Sequence, residues 1–142
     1  MSEYFRNVSE SKFSLVICGQ KLPFAEITDQ IGLEPTSTIH EGELLSALPE
    51  VVAHEDAWFH SIQMTMPDRI DPVLQGLLGT IHENKDYLKS LADAGHRVLL
   101  RLYVRSDRAT MAYRLMPETL AALVSIGLPL DVTSVSWGEF GI

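Results

Sequence analysis

The sequence predicts an α+β fold, a ferredoxin-like two-layer sandwich with helices on one face of a mixed or antiparallel sheet of four to five strands. Strand-like segments alternate with segments whose apolar residues recur at helical spacing. A unit of strand, proline, helix and glycine also occurs twice, around Ile31-Gly32-Leu33 and around Ile126-Gly127-Leu128. An inserted helical segment would join these halves. The alternative is coincidence, because glycine commonly ends helices.

The first strand and helix are indicated by an apolar run and by the residues that bound it. Residues 13–18 are rich in β-branched and aromatic side chains and end at Gly19, which is typical of a strand buried on both faces. Pro23 suits the first turn of a helix, because proline lacks an N–H group that this turn leaves unpaired. Gly32 can end that helix in the left-handed conformation.

The middle of the chain is irregular and then extended. Proline and glycine interrupt residues 34–56, so we expect at most a short helix at Gly42–Leu48. Residues 57–66 predict a second strand, whose apolar face carries Trp58, His60 and Ile62.

Two consecutive helices are predicted next. Asp71-Pro72 is typical of a helix start, with an acidic cap followed by proline in the first turn. The spacing of leucine and isoleucine predicts helices at about 71–80 and 84–94, the second ended by Gly95.

The third long strand is predicted by clean alternation over residues 96–105, with one face wet or partly wet. The polar residues 106–110 predict a turn, and residues 111–115 favour a short additional strand.

The C-terminal part is predicted to be a helix followed by a strand. Pro117 begins the helix and Gly127 ends it. Residues 130–137 form the last strand. The helix positions expected to face inward are Leu120, Leu123 and Val124.

Size and composition predict a single domain over residues 1–142, with an ordered core at about 12–137. The chain is 46% apolar and 21% charged, which is typical of a globular protein. Its N-terminus does not resemble a signal peptide, and no apolar run is long enough to span a membrane. With one cysteine, Cys18, no internal disulfide forms, and we expect a cytoplasmic protein without membrane association.

No catalytic or metal-binding motif is recognisable, so we expect no catalytic residues, no metal and no cofactor. The pairs His40-Glu41, His54-Glu55 and His82-Glu83 lack the second histidine that a zinc helix requires four residues later. Cys18 lies in an apolar strand without a sequence-adjacent cation, which favours an inert buried thiol.

The strand over residues 96–105 carries the most informative polar pattern. Arg97, Arg101, Tyr103 and Arg105 share one face, where guanidinium groups can bind carboxylates or phosphates and the phenol ring can stack. The alternative is that these arginines pair with acids of adjacent strands, such as Asp131, on a solvated or dimer-covered face.

Several short motifs together resemble an uncharacterised bacterial family of domains of unknown function, in the four-thousand series. The resemblance covers about residues 12–137 and rests on Gly32, Pro35, Thr36, Gly42, Glu43, Trp58 and Asp131. It implies an α+β fold, no established activity, and an analogy to partner-binding or immunity-type proteins. One departure is apolar residues 44–53, where the family is usually polar and often basic.

Two functional hypotheses follow. The first is a non-enzymatic module that binds a protein partner through the arginine-bearing sheet face, with a homodimer as a further option. The second is a small-molecule or metal-binding protein, or an enzyme, that uses residues 34–56 beside Trp58. The formal charge of −8 opposes a nucleic-acid partner.

Overall fold

A computed structural model describes residues 5–6, 10–64, 72–108 and 112–139. Its helices are α1 (Phe24–Ile31), α2 (Pro72–Glu83), α3 (Lys85–Asp93) and α4 (Pro117–Ile126). Its strands are β1 (Phe5–Arg6), β2 (Glu10–Gly19), β3 (Ser37–Ile39), β4 (Leu44–Ala47), β5 (Glu50–Val52), β6 (Asp56–Gln63), β7 (Arg97–Arg108), β8 (Ala112–Tyr113) and β9 (Leu130–Glu139). The predicted α+β class is confirmed.

Five strands form one mixed sheet in the order β3-β6-β2-β7-β9. The central strand β2 is antiparallel to both β6 and β7, and β9 runs parallel to β7. Two smaller pairs, β1 with β8 and β4 with β5, lie outside this sheet. The predicted mixed sheet is therefore present.

The finer, ferredoxin-like arrangement is not confirmed, and the two halves expected from the repeated unit differ in their connections. Helix α1 leads from β2 to β3, which runs parallel to β2 with β6 between them, whereas α4 leads from β7 directly to its parallel neighbour β9. The two predicted halves thus differ in strand pairing. In the first half, the chain continues from β3 through the β4–β5 pair and returns as β6, which takes the place between the two parallel strands.

The hydrophobic core lies between the helices and one face of the sheet. Alternate residues of β2 and β7 meet the apolar stripes of all four helices there. Fully buried members of this core include Leu15, Ile17, Ile27, Trp58, Ile81, Leu88, Leu100 and Val104. The opposite sheet face carries polar side chains together with the apolar Val16, Phe59 and Leu99, which are register neighbours.

The predicted glycine stops are confirmed by backbone geometry. Gly32, Gly95 and Gly127 have φ angles of 78°, 98° and 77°, a left-handed region in which a side chain would be strained. Helix α2 extends three residues beyond the predicted end, to Glu83. Asp71 lies outside the described residues. Across the described ranges, no helix combines the length and apolarity needed to cross a bilayer.

The short helix predicted at Gly42–Leu48 is wrong. Residues 44–47 instead form β4, which pairs with β5 in a hairpin. The Gly42 N–H donates to the Ala53 carbonyl at 2.9 Å, and the Ala53 N–H donates to that of Glu43 at 2.8 Å. A short apolar run is compatible with helix or strand, and here cross-strand bonds satisfy the backbone.

The turn predicted at residues 106–110 is wrong in its first half, because β7 continues to Arg108 beside β9. Ser106 is wholly buried in this extension. Residues 109–110 lie outside the described part of the chain.

The inward face predicted for α4 is partly wrong. Leu123 is buried as expected, but Leu120 and Val124 are 47% and 80% exposed. The buried stripe consists of Thr119, Leu123 and Ile126, at helical spacing. Leu120 and Val124 each lie one residue further around the helix and therefore face away from the core.

Candidate functional site

The sheet face opposite the helices carries Arg97, Arg101, Tyr103 and Arg105 of β7, as their alternation predicts. We call it the arginine face. In the register of β7 with β2, these residues lie opposite Cys18, Ser14, Lys12 and Glu10 respectively. Their placement on one face brings three guanidinium groups into a row along the sheet.

The two outer arginines of this row are paired with acids. Arg97 donates two hydrogen bonds to the carboxylate of Glu55, one of them at 3.3 Å from Nη1, and this pairing raises the pKa of Arg97. The Arg105 Nη2 atom lies 3.4 Å from Oε2 of Glu10, whose Oε1 lies 3.5 Å from the Lys12 ammonium. Arg97 is therefore locally neutralised, whereas Arg105 shares the single charge of Glu10 with Lys12.

The central arginine differs from its neighbours. Arg101 is half-buried, and within the described residues it has no ion pair or hydrogen bond to another side chain. Asp131 of β9 is its register neighbour, as the alternative hypothesis requires, but no ion pair joins these two residues. Among the described residues, Arg101 at the middle of the face thus has no acid that neutralises its charge.

A depression of about 540 Å³ surrounds Arg101. Ser14 and Ser61 lie in its floor, with their hydroxyl oxygens 2.7 Å apart, and Phe59 and Tyr103 provide aromatic walls. A guanidinium beside hydroxyl donors and aromatic rings can hold a carboxylate or a phosphate in a fixed orientation. The geometry therefore suits recognition of an anionic group.

Cys18 lies on the same face and is half-buried. Burial raises the pKa of its thiol, although the neighbouring Arg97 opposes this change. The thiol is therefore neutral near pH 7. Among the described residues, no group of three or more histidine, cysteine or acidic side chains is placed to hold a metal ion.

Residues of the family-like pattern lie in the frame of the fold. Trp58 is wholly buried, and its indole N–H donates to the Thr28 hydroxyl at 3.2 Å. The Thr36 N–H donates to the Phe59 carbonyl at 2.8 Å, and its hydroxyl accepts from the Ser61 N–H at 3.1 Å, which holds β3 against β6. Trp58 therefore belongs to the hydrophobic core and is bonded to α1.

The remaining pattern residues lie at turns and edges. Gly42, with φ of 88°, and Glu43 form the base of the β4–β5 hairpin. Gly32 and Pro35 line a separate depression of about 610 Å³ beside the end of α1. Asp131 is exposed on the edge strand β9.

Asp56 is a structural residue that the sequence did not reveal. Its carboxylate accepts the backbone N–H of Glu41 at 2.8 Å and that of Leu22 at 3.0 Å. These bonds lower the pKa of Asp56, with the Glu41 bond as the largest cause. Asp56 therefore ties the base of the hairpin to the turn after β2. Its partners are distant in sequence, so no local signal could have identified it.

Comparison with known protein families gives one match. The model of a family described as Domain of unknown function (DUF4279) matches residues 9–136. This span confirms the resemblance to a family in the four-thousand series. No curated protein and no solved structure matches the chain.

Proposed function

The chain belongs to the DUF4279 family of domains of unknown function, and from that premise we propose that it is a non-enzymatic binding module for a protein partner. The arginine face is the contact surface, and Arg101 pairs with a carboxylate of the partner. We place this module in the cytoplasm, where a reducing environment suits a chain with one cysteine.

The observation that carries this proposal is the difference between Arg101 and its two neighbours in the row. Arg97 is bound to Glu55 and Arg105 lies beside Glu10, whereas Arg101 has no acidic partner among the described residues. A half-buried charge without a partner is costly in the free protein. A carboxylate brought by a binding partner would remove this cost.

The charge of the whole chain indicates which anion fits. The net charge is −8, so a polyanion would be repelled outside the depression. Double-stranded DNA carries one charge per ~1.7 Å of its axis and would meet this repulsion along its length. A single carboxylate in an otherwise neutral segment is attracted locally, because charges are screened beyond about 8 Å at physiological salt.

The depression also supplies contacts other than charge. Of the hydrogen-bonded Ser14 and Ser61 hydroxyls, one donates to the other, and the second can donate to another carboxylate oxygen or to a backbone carbonyl. Phe59 and Tyr103 offer apolar area for side chains that flank the acid. A short apolar segment with one glutamate or aspartate is therefore the partner chemistry that fits this face.

The test is affinity capture from native lysate with three baits, followed by measurement of the affinity for each recovered protein. The baits are the wild type, Arg101→Glu and Lys21→Glu. Lys21 is exposed on the turn after β2, away from the depression. Lys21→Glu therefore makes the same change of charge as Arg101→Glu, but outside the proposed contact surface. We expect the wild type and the control to retain the same partner.

Arg101→Glu should lose that partner, because charge reversal at a half-buried site typically weakens binding by about a hundredfold or more. Circular dichroism checks that all three baits are folded. Recovery of the same proteins at the same affinity by Arg101→Glu, or no specific partner with any bait, would remove the support for this face.

A further inference from the structure

The β4–β5 hairpin exposes an unusual amount of apolar surface. We define residues 42–53 as the arm. Its exposed apolar side chains are Leu44, Leu45, Leu48 and Val51, and Leu48 at the tip is 93% exposed. Neither strand of the arm joins the five-stranded sheet. Exposed apolar groups that cluster on a projecting element indicate an interaction surface.

The arm lies within an acidic part of the chain. Residues 22–64 contain eight aspartate and glutamate residues and no lysine or arginine. Glu43 and Glu50 belong to the arm itself, and Glu41 immediately precedes it. The surface that receives this arm must therefore be apolar at its floor and basic at its rim.

A cleft with this character exists on the same chain. It has a volume of about 750 Å³ and lies between α3, α4 and the start of β7; we call it the end cleft. Its apolar walls include Val98, Ile126 and Leu128. Lys85 and Lys89, both exposed on α3, supply positive charge at its rim.

Other charged groups at the end cleft leave it basic. His96 and Arg97 also line it, although Arg97 is paired with Glu55. Asp86 is the acidic member of the lining. The lysines therefore outnumber the acid, and the cleft complements the acidic arm in both charge and polarity.

The arm and the end cleft lie at the same end of the sheet. Gly19 at the end of β2 pairs with Asp56 at the start of β6, and Cys18 pairs with Arg97 at the start of β7. The arm immediately precedes β6, and the end cleft opens where β7 begins. Two chains that meet at this end about a two-fold axis can therefore each place an arm at the other's cleft.

We propose that the chain forms a two-fold homodimer in which the arm of each copy occupies the end cleft of the other. Leu48 and its apolar neighbours enter the apolar part of the cleft. Glu43 and Glu50 face Lys85 and Lys89. This interface uses neither Arg101 nor its depression, although Arg97 belongs to both the end cleft and the arginine face. Changes at Arg101 therefore test the partner without touching the dimer interface.

The first test is the mass of the purified chain by sedimentation velocity over a range of concentrations. We expect a dimer for the wild type and at least a tenfold weaker association for Leu48→Asp, because the dimer would then have to bury a charge in place of the leucine side chain. Val124→Asp is the matched control, because Val124 is 80% exposed on α4 outside both surfaces, and it should remain dimeric.

The second test is a charge exchange between arm and cleft. Lys85→Glu/Lys89→Glu and Glu43→Lys/Glu50→Lys should each weaken the dimer by about tenfold, and the chain that carries all four changes should recover it. Circular dichroism verifies folding of each variant.

A monomeric wild type throughout the concentration range would overturn the homodimer. The arm and end cleft would be excluded as the dimer interface by either of two results. One is a Leu48→Asp chain that dimerises as tightly as the wild type. The other is a chain with all four charge changes whose dimer is no tighter than that of either pair alone. Neither of these results bears on the proposed partner. The partner is tested separately, by whether the Arg101→Glu bait loses a protein that the wild-type bait captures.

Discussion

Replacement of Trp58 by phenylalanine tests whether the tryptophan of the family-like pattern supports the fold. The indole is wholly buried and its N–H donates to the Thr28 hydroxyl at 3.2 Å. Phenylalanine retains one aromatic ring but loses the second ring and this hydrogen bond. A hydrogen bond contributes about 1 kcal/mol and a partial cavity about 1 kcal/mol more, so we expect a loss of roughly 2 kcal/mol.

Urea unfolding followed by far-UV circular dichroism measures this loss, which corresponds to about 6–8 °C in Tm for a domain of this size. Thr28→Val is the matched variant, because it removes the acceptor while it nearly preserves volume. It should cost about 1 kcal/mol, and Trp58→Phe/Thr28→Val should cost less than the sum of the single changes. A neutral Thr28→Val with strictly additive costs would refute the hydrogen bond.

Three further outcomes are expected from other parts of the fold. Leu123→Ala should destabilise by about 2–4 kcal/mol, whereas Val124→Ala should stay within about 0.5 kcal/mol in the same urea assay; equal costs would contradict the assigned face of α4. Gly19→Ala should destabilise, because a Cβ atom there would meet the ring of His96, and His96→Ala should restore stability when combined with it. The pKa of Asp56 is lower in the folded chain than its ordinary 3.8, so its contribution to stability is present above that value and is lost as pH falls through the folded pKa. Asp56→Asn should therefore flatten the acid limb of stability against pH, and an unchanged limb would exclude this role.

The parts of the fold that local chemistry determines were predictable from the sequence. The proline starts and glycine ends of α1 and α4 depend on backbone restrictions within a few residues. The alternation of β7 likewise predicted which side chains share the arginine face. Both signals span fewer than about a dozen residues, so no tertiary information was needed to recognise them.

The parts that depend on distant residues were not predictable. Residues 44–47 form a strand because β5 pairs with them, and the run itself fits either element. The parallel pairing of β9 follows from the crossover through α4, which no local pattern specifies.

The candidate site shows the same division. Glu55 and Glu10 pair with Arg97 and Arg105 from 42 and 95 positions away in the sequence. The sequence could therefore show that the arginines form a row, but not which of them lacks an acidic partner.

The most direct test of the central claim is an NMR titration of the arginine side-chain Nε–H signals with a capped hexapeptide that holds one glutamate among apolar residues. The peptide with glutamine in place of glutamate is the control. We expect a saturable shift of the Arg101 signal with the glutamate peptide alone, and little change at Arg97, whose guanidinium is bound to Glu55. An Arg101 signal that does not shift, or that responds equally to the glutamine peptide, would contradict a carboxylate-binding role for the arginine face.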